Sequence, residues 1–472
     1  MPPLATMGKK ALCTEKWRAG LMGLMHKPKA ALLSLGAALG LALLRPVGMA
    51  WDQSILLAAT ALVIFWWVTQ AVNKSAASIF LLGVYLLFSR GSAAAVLRFP
   101  LSENLGLIVS SYLLAHGIST SRLVERLSRY IVQRFARNGP SLVYIAYAVS
   151  FVLIFMIPQT FPRAIILAAI YREYLKEQKL TGEQKAVVLF SLFVAVGGTS
   201  LCFVNGDLVL NSAALAFAGI SLTWTGWAAY MALPSIFISA GMCAGLLLVF
   251  RKELGSIVLV KQDGAARGPM RTPEKRAAVI SAFVVALWMT ESLHGIGAMW
   301  VSLLGVALML GARLLTWRDY RVIKLELLIF LTAAFAIGGV LAQAGIVDVL
   351  FARALPKSTQ PMAFVVGALA FTMALHMALG SSMTTMSVCI PVLVAAAPPG
   401  IPPVMVMFLV FIAINTHFLM PFHNVLLMVG EGEGYYDAKV TVKYGIFLTA
   451  LVYVSTFLVL LPYWKLVFDM PA

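Results

Sequence analysis

Charged side chains are scarce in this sequence. Only 12% of its 472 residues are Asp, Glu, Lys or Arg, whereas 61% are hydrophobic. A soluble domain has no use for this composition, because even a large globular domain covers much of its surface with polar groups. The low charge content therefore excludes a soluble globular protein and predicts a chain that crosses a membrane many times.

Cysteine is rare as well, and the four cysteines include no Cys-x-x-Cys pair: Cys13, Cys202, Cys243 and Cys389. This spacing argues against a disulfide framework and against a zinc site. The last three lie in apolar runs, where we expect them to be packing residues.

Other combinations of reactive side chains are also missing from the sequence. His376, His417 and His423 are spaced too irregularly to predict a metal triad, and proton coupling through one of them is the less favoured alternative. We find no nucleophile–base spacing of the kind a membrane-embedded enzyme needs, so we predict no enzyme. Glu291 and His294 stand at the end of an apolar run and are predicted to be structural.

Acidic residues are outnumbered, with 19 against 36 basic residues and a net charge of +17. The basic residues cluster before the first apolar run, in "SRLVERLSRYIVQRFARNG", and between Arg251 and Arg276. The positive-inside rule places these segments in the cytoplasm. Topology and anionic lipid account for the charge, so we predict the lipid bilayer as a partner and no nucleic acid.

Apolar runs long enough to cross a bilayer recur along the whole chain. A hydrocarbon core of roughly 30 Å needs about 20 apolar residues per helix, and the sequence offers about eleven such runs with broken pieces between them. We therefore predict an all-α polytopic membrane protein of about eleven transmembrane helices, with a cytoplasmic N-terminus and a C-terminus outside.

The elements occur in the same order twice. "WWVTQAV" in the first half corresponds to "LWMTESL" in the second, and "NSAALAFAGI" from Asn211 aligns without gaps with "NVLLMVGEGE" from Asn424. An amphipathic segment, Ser121–Arg137, is strongly basic, whereas its counterpart, Ile346–Leu355, is not. This charge difference indicates two inverted repeats, the usual arrangement of a transporter. The predicted organisation is a cytoplasmic segment at 1–29, a first repeat with its leading spans at 30–250, a cytoplasmic basic loop at 251–276 and a second repeat at 277–472.

Two polar segments interrupt the apolar sequence at corresponding places. "IPQTFPRA" contains two prolines, which remove backbone donors and break helices, and "LGSSMTTMS" contains glycine and a run of hydroxyls. A break inside a bilayer survives only where protein or a water-filled cavity satisfies the freed backbone groups. Each repeat is therefore predicted to hold a re-entrant hairpin, with tips at 158–163 and 380–385, and a broken helix, at 205–211 and 418–424.

The side chains at these interruptions are of the types that bind ions. Hydroxyls, amides and open carbonyls coordinate a dehydrated alkali cation, while helix N-termini favour the oxygens of an anion. The substrate-binding candidates are Gln159, Thr160, Asn211, Ser382, Thr384 and Asn424. The cation-binding candidates are Gly198, Thr199, Asn205, Asp207, Ser381 and Thr416.

Each of these residues also has a structural interpretation. The hydroxyls could join helices by packing and hydrogen bonds alone, and Asp207 could cap a helix end near water instead of binding a cation or a proton. Arg163 could bind a substrate carboxylate through two hydrogen bonds. We instead expect its side chain to extend to the cytoplasmic interface.

Four stretches resemble the divalent anion/sodium symporter family of the ion transporter superfamily, whose members carry dicarboxylates, citrate or sulfate. "WMTESLHGIGAMW" is similar to the family's tryptophan–threonine–glutamate motif, and "FLTAAFAIGGVLAQAGIVDVL" to its second re-entrant region. "SSMTTMSVCIPVL" resembles its serine–asparagine–threonine tip, and "MPFHNVLLMVGEG" its helix break with Asn424 retained. The chain resembles a divergent member of the family, because neither Pro158-Gln159-Thr160 nor Ser381-Ser382-Met383 keeps the tip motif.

The resemblance implies a secondary active transporter of small anions in the cell or inner membrane. It implies coupling to Na⁺ or H⁺ without an organic cofactor, and a homodimer in which transport domains slide like elevators against a scaffold. The amphipathic segments would link scaffold to carrier. A proton-coupled or exchange carrier of another oxyanion or organic acid stays open, and a channel or a membrane-embedded enzyme is the alternative of another class.

Overall fold

The computed structural model describes residues 28–69, 71–89, 91, 93–260, 269–346, 349, 360–419 and 423–468. Regular secondary structure within these residues is helical.

In the first half of the chain the helices are α1 (Pro28–Leu44), α2 (Trp51–Thr69), α3 (Lys74–Phe88), α4 (Ala93–Val96), α5 (Glu103–Thr120), α6 (Leu123–Phe135), α7 (Gly139–Ile154), α8 (Thr160–Lys176), α9 (Gly182–Thr199), α10 (Leu208–Ala218), α11 (Trp224–Val249) and α12 (Arg251–Gly255). In the second half they are α13 (Thr272–Met289), α14 (Glu291–His294), α15 (Ala298–Gly311), α16 (Leu325–Gln343), α17 (Pro361–Leu379), α18 (Ser382–Ala396), α19 (Pro403–Thr416), α20 (Val425–Gly432), α21 (Ala438–Ser455) and α22 (Leu461–Val467). Short 3₁₀ turns occur at Pro46–Gly48, Val204–Gly206 and Trp317–Val322, and a π-turn at Thr456–Leu460 joins α21 to α22.

The helices form two compact units. One unit comprises Met1–Leu101 and Lys324–Lys357, and the other comprises Ser102–Ile323 and Ser358–Ala472. In the first unit α16 packs against α3 and α4, and α2 packs against α1 and α3. The hydroxyls of Thr60 and Tyr85 lie 2.6 Å apart inside it. The hairpins and the broken helices all belong to the second unit.

Three continuous helical segments in the described part of the chain are long and apolar enough to cross a membrane: α11, α17, and the run from α21 through the π-turn into α22. Nine more apolar helical stretches there are shorter, at 10 to 17 residues, and two of these are the parts Trp51–Trp67 of α2 and Leu325–Leu341 of α16. Several of these are the arms of hairpins and the halves of broken helices. The apolar runs therefore predict where membrane helices lie better than they predict which helices cross the membrane without a break.

The first hairpin consists of α7 and α8. Asn138 begins α7 with a reciprocal cap, in which its side chain accepts from Ser141 N while the Ser141 hydroxyl accepts from Asn138 N. Pro158 follows the last turn of α7, and α8 then starts behind Gln159, whose backbone is extended. Pro162 falls in the first turn of α8, where a missing N–H costs no intrahelical bond. The predicted tip at 158–163 is confirmed.

The first broken helix consists of α9 and α10, separated by eight residues, 200–207, that include the 3₁₀ turn. Asp207 ends the interruption and caps α10 by accepting a hydrogen bond from Leu210 N at 3.3 Å. The predicted break at 205–211 overlaps this interruption only at 205–207, because residues 208–211 already belong to α10.

The second hairpin consists of α17 and α18, and Gly380 makes its turn with a positive φ of 58°. Ser381 then caps α18. The second broken helix consists of α19 and α20, and Asn424 caps α20 by accepting from Leu426 N at 2.9 Å. The four helix starts at the two tips and the two breaks have similar extended backbones, with φ between −129° and −148° at their capping residues.

The two repeats pack into one another in the second unit. α10 of the first repeat packs against α18 and α19 of the second, and α20 of the second repeat packs against α8 and α9 of the first. Each half-helix that follows a break therefore meets the returning arm of the other repeat's hairpin.

The amphipathic segment predicted at Ser121–Arg137 forms α6, which packs against both arms of the first hairpin. Arg129 makes two hydrogen bonds of 2.8 Å to the Glu173 carboxylate on α8. Its predicted counterpart, Ile346–Leu355, lies mostly outside the described residues.

A glycine allows the first break to fold tightly. A Cβ atom at Gly206 would overlap the carbonyl group of Ser200, across the turn. We predict that Gly206→Ala lowers the free energy of unfolding by about 1–3 kcal/mol, because overpacking at a rigid site forces the backbone to move. Thermal unfolding of the detergent-solubilised protein measures this change.

Gly367→Ala is the matched control, since no heavy atom lies within 4 Å of a Cβ at this position in α17. Alanine there should stabilise the helix by up to about 1 kcal/mol. Equal effects of the two substitutions would contradict the tight turn.

Candidate functional site

The tip of the first hairpin is joined directly to the first break. Leu208 N donates to the Pro158 carbonyl at 3.1 Å, and the Thr160 hydroxyl donates to Asp207 Oδ2 at 2.6 Å. Asn205 Nδ2 donates to the Ile154 carbonyl at the end of α7, at 3.2 Å. These three hydrogen bonds therefore satisfy backbone and side-chain groups that the prolines and the break would otherwise leave without a partner.

Arg163 lies inside this junction and corrects our expectation that it extends to the interface. Its side chain is fully buried, and Nη2 donates to the Gly206 carbonyl at 2.5 Å. The charge of the guanidinium also interacts with Asp207. Position 163 falls on the inner side of α8, where the first turn faces the break, so the side chain cannot reach the membrane surface.

The first tip carries three hydrogen-bond donors that no other atom uses. Arg163 Nε and Nη1 and Gln159 Nε2 are buried, and none of them has a partner among the described residues. A buried donor without a partner destabilises the protein, and a charged one does so strongly. Gln159 is the capping residue before α8 and Arg163 lies near the start of that helix, so both stand at the same helix end.

Asp207 acts as a helix cap, but a buried one rather than one near water. Only 6% of its surface is exposed, and it accepts from Thr160 and from Leu210 N. A carboxylate at the start of α10 is also stabilised by the helix dipole. Its cation-binding role stays a prediction, although its two oxygens already take part in the junction.

Aromatic residues hold the first break from the other side, and sequence reasoning did not identify them. Trp224 Nε1 donates to Asn205 Oδ1 at 2.9 Å, and Trp227 Nε1 donates to the Leu201 carbonyl at 3.1 Å. The Trp224 ring also stacks on Phe203, with centroids 4.7 Å apart. The backbone N–H of Trp224 donates to Glu291 at 3.2 Å, as expected of a structural role for that carboxylate.

Asn211 lies one turn inside α10, which corrects the gapless alignment of Asn211 with Asn424. The residue that starts α10 is Asp207, so Asp207 is the positional counterpart of Asn424. Asn211 Nδ2 instead donates to the carbonyls of Ser200, Phe203 and Val204 at 3.0–3.3 Å. Its amide nitrogen therefore closes the turn. Its Oδ1 has no partner among the described residues, and a substrate contact there stays a prediction.

The second tip is bonded mainly within its own helix. Thr384 Oγ1 donates to Ser381 Oγ at 3.0 Å, and Thr385 Oγ1 donates to the Ser381 carbonyl at 2.9 Å. Thr384 is fully buried and Ser382 is 8% exposed. The hydroxyl cluster is thus dense and largely enclosed, and these bonds lie within α18 and its capping residue.

Residues of both breaks line one small cavity with room for about one water molecule. Gly198 comes from the end of α9, and Asn415, Phe418 and Asn424 come from the second break. This cavity brings a cation-binding candidate of one repeat next to a substrate-binding candidate of the other.

The remaining two candidates face their own helices. Thr199 Oγ1 donates to the Ala195 carbonyl at 2.8 Å, and Thr416 Oγ1 donates to the Ile412 carbonyl at 2.6 Å. These are the ordinary bonds of a threonine within a helix. Cys202, Cys243 and Cys389 are buried and free, as expected of packing residues.

The family described as the sodium:sulfate symporter transmembrane region matches residues 28–470. The chain belongs to this family. The match confirms the resemblance that the four sequence stretches indicated. It also favours transport over an enzymatic reaction.

Two curated relatives match part of the chain. A putative malate transporter, YflS of Bacillus subtilis (strain 168), is 25% identical over 286 residues, which is 58% of this chain and 59% of the relative. The inner membrane protein YbhI of Escherichia coli (strain K12) is 23% identical over 242 residues, which is 48% of this chain and 50% of the relative. The chain therefore spans between half and three fifths of the curated relatives it matches.

A solved structure matches much more of the chain. The YdaH transporter of Alcanivorax borkumensis superposes with a TM-score of 0.53 at 14% identity, covering 88% of this chain and 99% of that chain. At this identity the likeness shows the fold alone. It confirms the predicted class, an all-α membrane protein with hairpins and broken helices in two repeats.

The bond from Thr160 to Asp207 provides a test of the first junction. We predict that Thr160→Val lowers the free energy of unfolding by about 1–3 kcal/mol, because it leaves a buried carboxylate oxygen without its donor. Thr160→Ser keeps the hydroxyl and should keep most of the stability. Thermal unfolding in detergent distinguishes the two, and a valine variant as stable as the serine variant would contradict this role of the bond.

Proposed function

We propose that this chain is a secondary active transporter of small anions, of the dicarboxylate, tricarboxylate or sulfate class, driven by a cation gradient. The observation that carries the proposal is the group of three unused donors at the first tip, Arg163 Nε, Arg163 Nη1 and Gln159 Nε2. An anion supplies the acceptors that these donors lack.

The chemistry of the first tip favours an oxyanion over a neutral solute. A guanidinium forms strong charge-assisted bonds with carboxylate or sulfate oxygens, and a glutamine amide adds a neutral donor. The site also stands at the start of α8, where the helix dipole attracts negative charge. The Arg163 guanidinium interacts with Asp207, and a bound anion adds the acceptors that its Nε and Nη1 lack.

The name of the Bacillus relative, a putative malate transporter, supports a dicarboxylate as the substrate. The second tip would bind the other end of such an anion, through Ser382 and Thr384, or a coupling cation such as Na⁺ through Ser381. Asn424 at the start of α20 is placed to add an amide. The two tips, which differ in sequence, would then differ in function. The first would bind the anion, and the second would bind its other end or the coupling cation.

The movement we propose is an elevator-like slide of the hairpins and broken helices, in a homodimer. The interlocked first tip and first break support this proposal, because elements joined by several buried bonds move as one body. α6, which contacts both arms of the first hairpin, would act as the link to the scaffold. An exchange carrier would use the same parts without net coupling to a cation.

The direct test is uptake into proteoliposomes of malate, succinate, citrate and sulfate, with sodium and proton gradients imposed separately. We expect saturable uptake of one of these anions and counterflow of labelled against unlabelled substrate. A channel would give flux without saturation or counterflow. No uptake of any of the four would reject the proposed substrate class.

Variants of the first tip test whether the anion binds there. We predict that Arg163→Gln and Gln159→Ala raise the KM for the anion about tenfold or more, because each removes a donor worth roughly 1.5–3 kcal/mol to a charged acceptor. Gln159→Ala should leave the cation dependence of uptake unchanged. Initial rates measured against both substrate and cation concentration separate the two effects.

Arg172→Gln is the matched control, since Arg172 is an exposed arginine on the same helix that contacts the Tyr435 ring at 5.2 Å. It should leave KM within about twofold, as a surface charge contributes little. A Gln159→Ala variant that shifts the cation response while KM for the anion stays constant would make the first tip a cation site.

A further inference from the structure

Three histidines that are far apart in the sequence form a buried cluster at the second break. His376 lies on α17, about one turn before Gly380 at the second tip. His417 and His423 lie in the segment between α19 and α20. Their exposed fractions are 0%, 2% and 1%. The His376 ring centroid lies 6.3 Å from that of His417 and 5.7 Å from that of His423.

The hydrogen bonds assign a different state to each ring nitrogen of His376. Nε2 lies 3.0 Å from the His423 carbonyl oxygen, and a carbonyl only accepts, so the neutral ring carries its proton on Nε2. The lone pair is then on Nδ1, which is buried and has no partner among the described residues. His376 therefore presents an unused proton acceptor inside the protein.

His423 has a structural task in the same cluster. Its Nδ1 accepts from Leu419 N at 3.2 Å, while its carbonyl holds His376. These bonds fix the loop of the second break against α17. If position 376 served packing alone, an apolar side chain would be more stable there. A histidine with an unused buried acceptor lowers the stability of the protein.

The surroundings of His376 contain little other charge. The helices α18 and α19 pack against α17, and neither contains Asp, Glu, Lys or Arg. The titratable groups facing His376 from these elements are Cys389 on α18, His417 at the end of α19 and His423 in the break. Lys439, Lys443 and Tyr444 lie one layer further, on α21, where Lys443 pairs with Glu253 at 2.9 Å.

The described residues hold no group of His, Cys, Asp and Glu side chains arranged to bind a metal ion. The lone pair of a neutral imidazole nitrogen can accept a proton. A charge acquired here would have no acidic side chain to balance it on α18 or α19. The tip of the second hairpin lies close by, since Gly380 N donates to the His376 carbonyl at 2.8 Å.

We propose that His376 carries the proton that couples transport to a proton gradient. Nδ1 takes a proton from water when the site opens on one side, and releases it to water when the site opens on the other. Because proton and anion carry opposite charges, each favours the binding of the other. This inference rests on the proposed transport of an anion and adds the coupling ion and its site.

The experiment compares two fluxes in proteoliposomes without sodium, with labelled malate as the probe. One is exchange of malate for malate at equal pH, which reports carrier function. The other is net uptake under an inward proton gradient with the membrane potential clamped. A gradient of one pH unit coupled to one proton should raise accumulation about tenfold in the parent protein.

His376→Gln is the decisive variant, because the glutamine amide can still donate to the His423 carbonyl but cannot take up a proton. We expect its exchange flux to persist at saturating malate, with a raised KM because the coupled proton is lost, and its response to the proton gradient to vanish. His294→Gln is the matched control, since His294 lies outside the second break and forms local bonds, from Nε2 to the Leu287 carbonyl and from Ile296 N to Nδ1. That variant should keep both fluxes.

The outcomes separate the inference from the function on which it rests. Failure of exchange in the parent protein rejects malate transport, whereas exchange in the parent with no proton-driven uptake rejects the proton site alone. A His376→Gln variant that keeps its proton response also overturns the proposal.

A second measurement covers the case in which His376→Gln loses all flux. Malate added to the weakly buffered, detergent-solubilised parent protein should cause proton uptake, recorded with a pH-sensitive dye. The His294→Gln variant should show the same uptake and the His376→Gln variant none. No proton uptake by the parent, or equal uptake by the His376→Gln variant, would reject the proposal.

Discussion

Backbone groups inside a bilayer must find their hydrogen-bond partners within the protein, and the rest of this structure follows from that requirement. Each repeat interrupts its chain twice, at a hairpin tip and at a helix break. In the first repeat the two interruptions satisfy each other, through the bonds from Leu208 to Pro158, from Asn205 to Ile154 and from Thr160 to Asp207. An irregular segment in the membrane thus becomes a rigid junction.

The two repeats meet the same requirement with different chemistry. The first places a permanent positive charge at its break, because Arg163 donates to the Gly206 carbonyl. The second places a neutral imidazole in the comparable role, because His376 contacts the His423 carbonyl. A guanidinium keeps its proton at any physiological pH, whereas an imidazole can gain or lose one. The fold is repeated, but the ion chemistry of the two halves is not.

Close packing supports both junctions. Glycines stand where backbones meet: a Cβ at Gly206 would overlap the Ser200 carbonyl, and one at Gly445 on α21 would overlap the Phe418 carbonyl at the second break. Trp224 and Trp227 add hydrogen bonds to the first break from α11. The polar junctions are therefore enclosed by residues that exclude water, which strengthens each bond within them.

The sequence by itself determined the class of fold, the two repeats, the hairpin tips and the breaks. These depend on local chemistry, since Pro158, Gly380 and long apolar runs act on the residues next to them. Tertiary structure decided which side chains share a site. The contacts of Arg163 with Gly206 and of His376 with His417 and His423 join residues about 40 positions apart. The register of the first break also depended on tertiary structure, because Asp207 and Asn211 are both plausible caps until α8 supplies Thr160 as a donor to one of them.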